Sequence, residues 1–157
     1  KLDKKFLVID FDPSSIKSLQ KENIPYRHGD AQDIEFVSEL NLAKIKMAVS
    51  TIPDFKTNML LVNKIKEDSP SAIIIVISHD TEDAQALYEK GATYVIMPHY
   101  LGARFATNMI SKFGLDKKGF EEERDKHLEH LEKRKEWTGK NKYSTEEKAV
   151  DDEKSSK

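Results

Sequence analysis

Residues 73–77, Ile-Ile-Ile-Val-Ile, restrict this chain more than any other stretch. β-branched residues in unbroken succession fit a pleated strand, and without polar alternation both faces of that strand need cover. Ala72 to Ser78 is therefore predicted to be a fully buried strand of a parallel sheet. Weaker apolar runs at Lys5–Asp10, Ile24–His28, Lys46–Ile52 and Thr93–Met97 read the same way, making five strands. The segments between them carry helical spacing instead. Pro13 opens a helix through Ile16 and Leu19 that runs out near Asn23, and a second from about Asp33 presents Ile34, Val37, Leu40 and Leu42. A third begins at Pro53-Asp54 with Leu60, Leu61, Val62 and Ile65 as its core face, and ends before Ser69-Pro70. The fourth, from about Glu82, packs Ala84, Leu87 and Tyr88 inward and stops at Gly91; a fifth, after Pro98, carries Leu101, Phe105, Met109 and Ile110. Sustained strand–helix alternation predicts an α/β fold: a parallel sheet with right-handed crossovers and helices on both faces.

This pattern stops near Gly114. Residues 1–114 read as one domain, 115–137 as a charged helix, solvated or else docking a partner, whose large apolar residues are Phe120, Leu128, Leu131 and Trp137, and 138–157 as a disordered tail. With 26 basic and 28 acidic residues the net charge is −2, which leaves no electrostatic footprint for nucleic acid or an anionic membrane. The chain has no cysteine, hence no disulfide framework, thiolate zinc site or thiol nucleophile, and a cytosolic location fits. No apolar stretch approaches the roughly 20 residues a membrane-spanning helix needs, and Lys-Leu-Asp-Lys-Lys is no signal peptide.

In a parallel sheet, ligands collect at the carboxyl ends of the strands. Polar residues stand at three of those ends. Asp10 closes the first strand, where a carboxylate can accept from vicinal ribose hydroxyls; an N-cap or surface acid is the alternative. Asp12, directly before Pro13, reads first as a helix cap and second as a ligand residue. Gly29-Asp30-Ala31 follows the second strand, so that the backbone can approach a ligand and Asp30 can accept from an adenine amino group, or the three form an ordinary turn. Ser50 and Thr51 end the third strand, either lining the crevice or making a plain turn. His79 follows the isoleucine run with no serine, carboxylate or second histidine in an obvious relation to it, and is not read as catalytic. His28, His99, His127 and His130 do not combine with acids at metal-ligand spacing. No metal site is expected.

Over roughly Phe6 to Ile110 the chain resembles the TrkA-N or RCK nucleotide-binding domains, which regulate potassium channels and transporters and cation:proton antiporters. The resemblance rests on Val8-Ile9-Asp10-Phe11-Asp12-Pro13, His28-Gly29-Asp30-Ala31-Gln32-Asp33, Val49-Ser50-Thr51-Ile52-Pro53-Asp54 with Asn58 beyond, and Gly91-Ala92-Thr93-Tyr94-Val95-Ile96-Met97-Pro98. Ser-Thr-Ile-Pro-Asp and Met-Pro-His-Tyr-Leu-Gly look most like the cytoplasmic domains attached to Kef-type antiporters. The resemblance implies a Rossmann-like fold in which Asp10 holds the ribose of an adenine nucleotide, Asp30 and Ala31 contact the adenine, and Ser50 and Thr51 border the phosphates; Asp12 belongs to the same candidate site. It further implies NAD, NADH or another adenine nucleotide (ATP, ADP or AMP) bound as a regulator without turnover. The implied partners are a second copy of the domain and a membrane transport domain of the same or another chain, on the cytoplasmic side of the membrane. One departure is large: such domains begin with a strand and a G-x-G-x-x-G phosphate loop, and this sequence has neither. The lacking strand would lie between the one ending at Asp10 and the one ending at Ser50. The chain is therefore expected to be a fragment of a longer antiporter, the alternative being a domain whose sheet closes without its middle strand.

Two other readings share the strand–helix alternation. A receiver domain of two-component signalling would use Asp10 and Asp12 as its acidic cluster and Ser78 as its switch hydroxyl, but Ser50 stands where its phospho-acceptor aspartate belongs and Met97 where its lysine belongs. A Rossmann-type oxidoreductase would need a phosphate loop and a substrate domain, and the sequence shows neither.

Overall fold

The computed structural model describes residues 5–146, with side chains as far as Lys133. The chain forms two compact units that divide between Arg104 and Phe105, inside a helix. The first unit holds β1 (Val8–Asp10), α1 (Pro13–Lys21), β2 (Tyr26–His28), α2 (Ile34–Ser38), a 3-10 turn at Leu42–Lys44, β3 (Met47–Val49), α3 (Phe55–Asp68), β4 (Ile73–Ile77), α4 (Thr81–Lys90) and β5 (Tyr94–Ile96). α5 (Pro98–Phe113) crosses the division, and α6 (Lys117–Glu146) belongs to the second unit.

The first four helices start on an aspartate. Asp12 accepts from the amides of Ser14 and Ser15, Asp33 from those of Glu35 and Phe36, Asp54 from that of Thr57, and Asp80 from those of Glu82 and Asp83. Each satisfies amide donors that have no partner within the helix. α4 stops at Gly91, whose φ of 114° lies in the left-handed region, with the Ala92 amide returning to the Leu87 carbonyl.

All strand pairing is parallel, in two sheets: β1 with β2, and β3-β4-β5. No ladder joins β1 to β3 among the described residues. The break falls where the sequence reading places the lacking strand. The core sits on one side of the larger sheet, where Ile74, Val76 and Val95 pack with Val62 and Ile65 of α3 and Ala84 and Leu87 of α4. Each of these larger side chains gains about 1.5–3 kcal/mol on burial.

The isoleucine run departs from expectation. Ile74 and Val76 are 1% exposed, yet Ile73 is 41% exposed and Ile75 and Ile77 are half-buried, so only one face is fully covered. The reason is that α3 and α4 pack on the same side, whereas α5 contributes no buried residue. The strand registers place Met47 and Val49 of β3 and Tyr94 of β5 on the same face as Ile73 and Ile75, and all three are exposed. Ile34 and Tyr88, expected to face inward, are also exposed: α2 is short and buries Val37 instead, and the Tyr88 hydroxyl accepts from the Val95 amide at 3.1 Å.

In the second unit the rings of Phe113 and Phe120 meet at 5.4 Å between centroids, and Gly119 packs so closely on Phe113 that a Cβ there would overlap its ring. From Arg124 as far as its side chains are described α6 is exposed, Leu128 and Leu131 included. It continues past Thr138 to Glu146; the Trp137 side chain and residues 147–157 lie outside the described residues.

Candidate functional site

The candidate residues sit at strand ends, as a parallel sheet requires, in two groups. The first is built on β1 and β2. Asp10 pairs in register with His28, and its carbonyl accepts from the Gly29 amide at 3.1 Å, so the ladder runs straight into the Gly29–Ala31 turn. The Asp10 carboxylate is half-buried; its Oδ1 accepts from the Asp12 amide at 2.9 Å, and no protein group among the described residues donates to Oδ2. A carboxylate with one oxygen engaged and one open can receive a hydroxyl.

Asp12 is arranged differently. Its two oxygens accept from the amides of Ser14 at 3.0 Å and Ser15 at 3.3 Å and from both serine hydroxyls. The hydrogen bond from the Ser14 hydroxyl, above the others, holds its pKa below the ordinary aspartate value. Asp12 is thus committed to starting α1.

Asp30 is exposed, and its Oδ1 accepts from the Gln32 amide at 2.8 Å while its carbonyl accepts from the Asp33 amide, forming a tight turn that leads into α2. Ala31 is half-buried within it. Gly29 packs on Phe36: a Cβ there would overlap the ring. That ring in turn carries the Arg27 guanidinium at 4.9 Å, and Arg27 pairs with Glu39.

The second group lies on the larger sheet. The Ser50 amide donates to the Ile75 carbonyl at 2.8 Å, and the Ser50 hydroxyl accepts from the Ile52 amide at 3.3 Å. Thr51 beside it is exposed. Among the described residues no hydrogen bond links this group to Asp10 or Asp30.

Three features escaped the sequence reading. His28 Nε2 lies 3.0 Å from the Phe11 carbonyl, which requires the proton on Nε2 and ties the end of β2 to the loop after β1. His79 does have a second histidine beside it: the rings of His79 and His99 meet edge-on at 5.8 Å, where β4 and β5 end. Asn58 is fully buried, and its amide nitrogen bonds the carbonyls of Ile52 and Ile77. Such contacts join residues far apart in sequence and leave no spacing signal. A groove lined by Ile34, Val37, Leu60, Asn63, Lys64 and Glu67 lies between α2 and α3.

Comparison with known proteins places this arrangement. Over 87 residues the chain is 30% identical to the glutathione-regulated potassium-efflux system protein KefC of Escherichia coli O157:H7, covering 55% of this chain and 14% of that one. Among solved structures, the TrkA-N domain of the inner membrane protein ybaL from Escherichia coli superposes with a TM-score of 0.61 at 22% identity, covering 66% of this chain and 77% of that one. A GsuK channel bound to NAD superposes with a TM-score of 0.50 at 18% identity, over 59% of this chain and 17% of that one. These structural likenesses establish a shared fold. The TrkA-N domain model matches residues 1–98, well over half the chain, which therefore belongs to the TrkA-N domain family.

Proposed function

We propose that this chain is a nucleotide-binding regulatory domain for the transport of potassium or another monovalent cation, taking NAD(H) or another adenine nucleotide without turning it over. The observation that carries the reading is Asp10: a carboxylate at the end of a parallel strand, one oxygen open, beside the Gly29–Ala31 turn. Asp10 receives the ribose hydroxyls, Asp30 and Ala31 border the adenine, and Ser50 and Thr51 stand toward the phosphates. Asp12 acts on the ligand through the backbone, by holding the start of α1 and with it the Asp12 amide that orients Asp10. The GsuK channel bound to NAD supports the choice of ligand, and the potassium-efflux system protein KefC supports potassium as the transported ion. In this reading the domain works as a pair on the cytoplasmic side of the membrane. The nucleotide binds one arrangement of the pair more tightly than the other, since equal affinity for both would shift nothing.

Thermal unfolding with NAD, NADH, ATP, ADP and AMP tests this. A ligand at a hundred times its Kd stabilises the folded state by about 2.7 kcal/mol. The expected result is a rise in Tm with at least one adenine nucleotide that Asp10→Ala abolishes. No rise with any of them would refute nucleotide binding by this chain.

A further inference from the structure

We propose that Asn58 is a positioning residue that fixes the distance between the β3 and β4 lips of the strand-end crevice, and so sets the affinity of the site for its nucleotide. The second half of this inference rests on the nucleotide reading above; the first half stands on geometry alone.

Asn58 lies in the first turn of α3, where its backbone amide bonds the Asp54 carbonyl at 3.1 Å. Its side chain is 0% exposed. The amide nitrogen donates to Ile52 O at 2.8 Å and Ile77 O at 3.0 Å, spending both of its hydrogens on backbone carbonyls from different segments. Ile52 belongs to the loop that leaves β3, and its own amide bonds the Ser50 hydroxyl. Ile77 is the last residue of β4, directly before Ser78, whose hydroxyl donates to the Asp80 carbonyl at 3.0 Å and accepts from the Asp80 amide at 3.2 Å. One buried amide therefore joins Ser50–Ile52 on one lip to Ile77–Asp80 on the next. Among the described residues no other hydrogen bond links α3 to Ser50–Ile52 or to Ile77–Asp80.

The orientation of the amide is fixed, because only its NH2 can serve two carbonyl acceptors. Its Oδ1 is left buried with no protein donor among the described residues. A buried acceptor without a donor costs stability, and a leucine of similar volume would remove that cost. It would also remove both donors to the lips. The side chain's contribution is thus to geometry: it gives two carbonyls at the mouth of the crevice a common anchor, and displacement of a binding group by a fraction of an ångström weakens a ligand held between opposed polar groups.

The test compares Asn58→Leu with Val62→Ala in the full chain. Val62 is equally buried on the same helix and belongs to the core, with no bond to either lip. Two readouts are taken: amide hydrogen exchange at Ile52 and Asp80, and the Kd for NADH. Asn58→Leu is expected to speed exchange at both amides by about tenfold while Val62→Ala, at a comparable fall in Tm, leaves them within about twofold. The NADH Kd is expected to rise about tenfold or more in Asn58→Leu and to stay within about twofold in Val62→Ala. Unchanged exchange at Ile52 and Asp80 in Asn58→Leu overturns the positioning role. Altered exchange with no binding of NADH, NAD, ATP, ADP or AMP by the unmodified chain keeps the anchor and refutes the nucleotide reading instead, so the two failures are distinguishable. If both variants lose protection and affinity in proportion to Tm, Asn58 is an ordinary core residue.

Discussion

Asp10 and Asp12 stand two positions apart, and their surroundings give them different chemistry. Asp12 spends both oxygens on the start of α1, and its lowered pKa makes that cap pH-dependent; Asp54 is likewise lowered, chiefly by the Thr57 hydroxyl. A carboxyl whose pKa is depressed in the folded state contributes stability above its unfolded pKa, near 3.8, and loses it as pH falls through the folded value. Thermal unfolding between pH 6 and pH 2.5 should therefore show a steeper acid loss in the unmodified chain than in the Asp12→Asn, Asp54→Asn double variant; identical slopes would discount both caps. Gly29 makes a second prediction. Because its hydrogen faces the Phe36 ring, Gly29→Ala should lower stability to urea by about 1–3 kcal/mol, and Phe36→Leu in the same chain should return part of the loss. At this scale the sequence was only partly legible. Asp-Pro-Ser-Ser already reads as a cap, since capping is a local matter of side chain and amide. The Gly29–Phe36 contact is also close in sequence, but a glycine kept for an aromatic neighbour and one kept for a ligand look alike on paper.

Among the elements, α4 shows how far local rules reach. Its buried Ala84 and Leu87 and its stop at Gly91 lie where the sequence places them, because helix face and stop depend on neighbours within a turn or two. The φ of 114° at Gly91 is closed to side chains at little cost, while the atoms that an added Cβ would meet belong to the flexible Lys66 chain. Backbone strain thus outweighs crowding, and Gly91→Ala should lower stability by roughly 1–2 kcal/mol in a chemical denaturation series. A loss above that range would mean Lys66 cannot move aside. β4 is where element-scale reading fell short. Its composition signals burial on both faces, but which face receives a helix depends on where α3, α4 and α5 pack, and that information is distributed over the whole chain.

For the molecule as a whole, the strand–helix alternation was enough to specify parallel pairing, because crossovers between parallel strands leave a long-period pattern that no local accident produces, while the family was legible only in the motifs at the strand ends. The interruption between β1 and β3 was legible too, through the lacking first strand and phosphate loop. The extent of open apolar surface was not. Met47, Val49, Ile73 and Tyr94 form one oily patch across three registered strands, each 41–56% exposed. In solution such a patch behaves as half of a detergent: it binds amphiphilic dyes, adsorbs to air and plastic, and draws molecules together as concentration rises. Anilinonaphthalene sulfonate should fluoresce with the native chain at neutral pH, the molar mass obtained from light scattering should grow with concentration, and Met47→Lys with Val49→Thr should reduce both. A native state that leaves the dye dark would mean this surface is already covered.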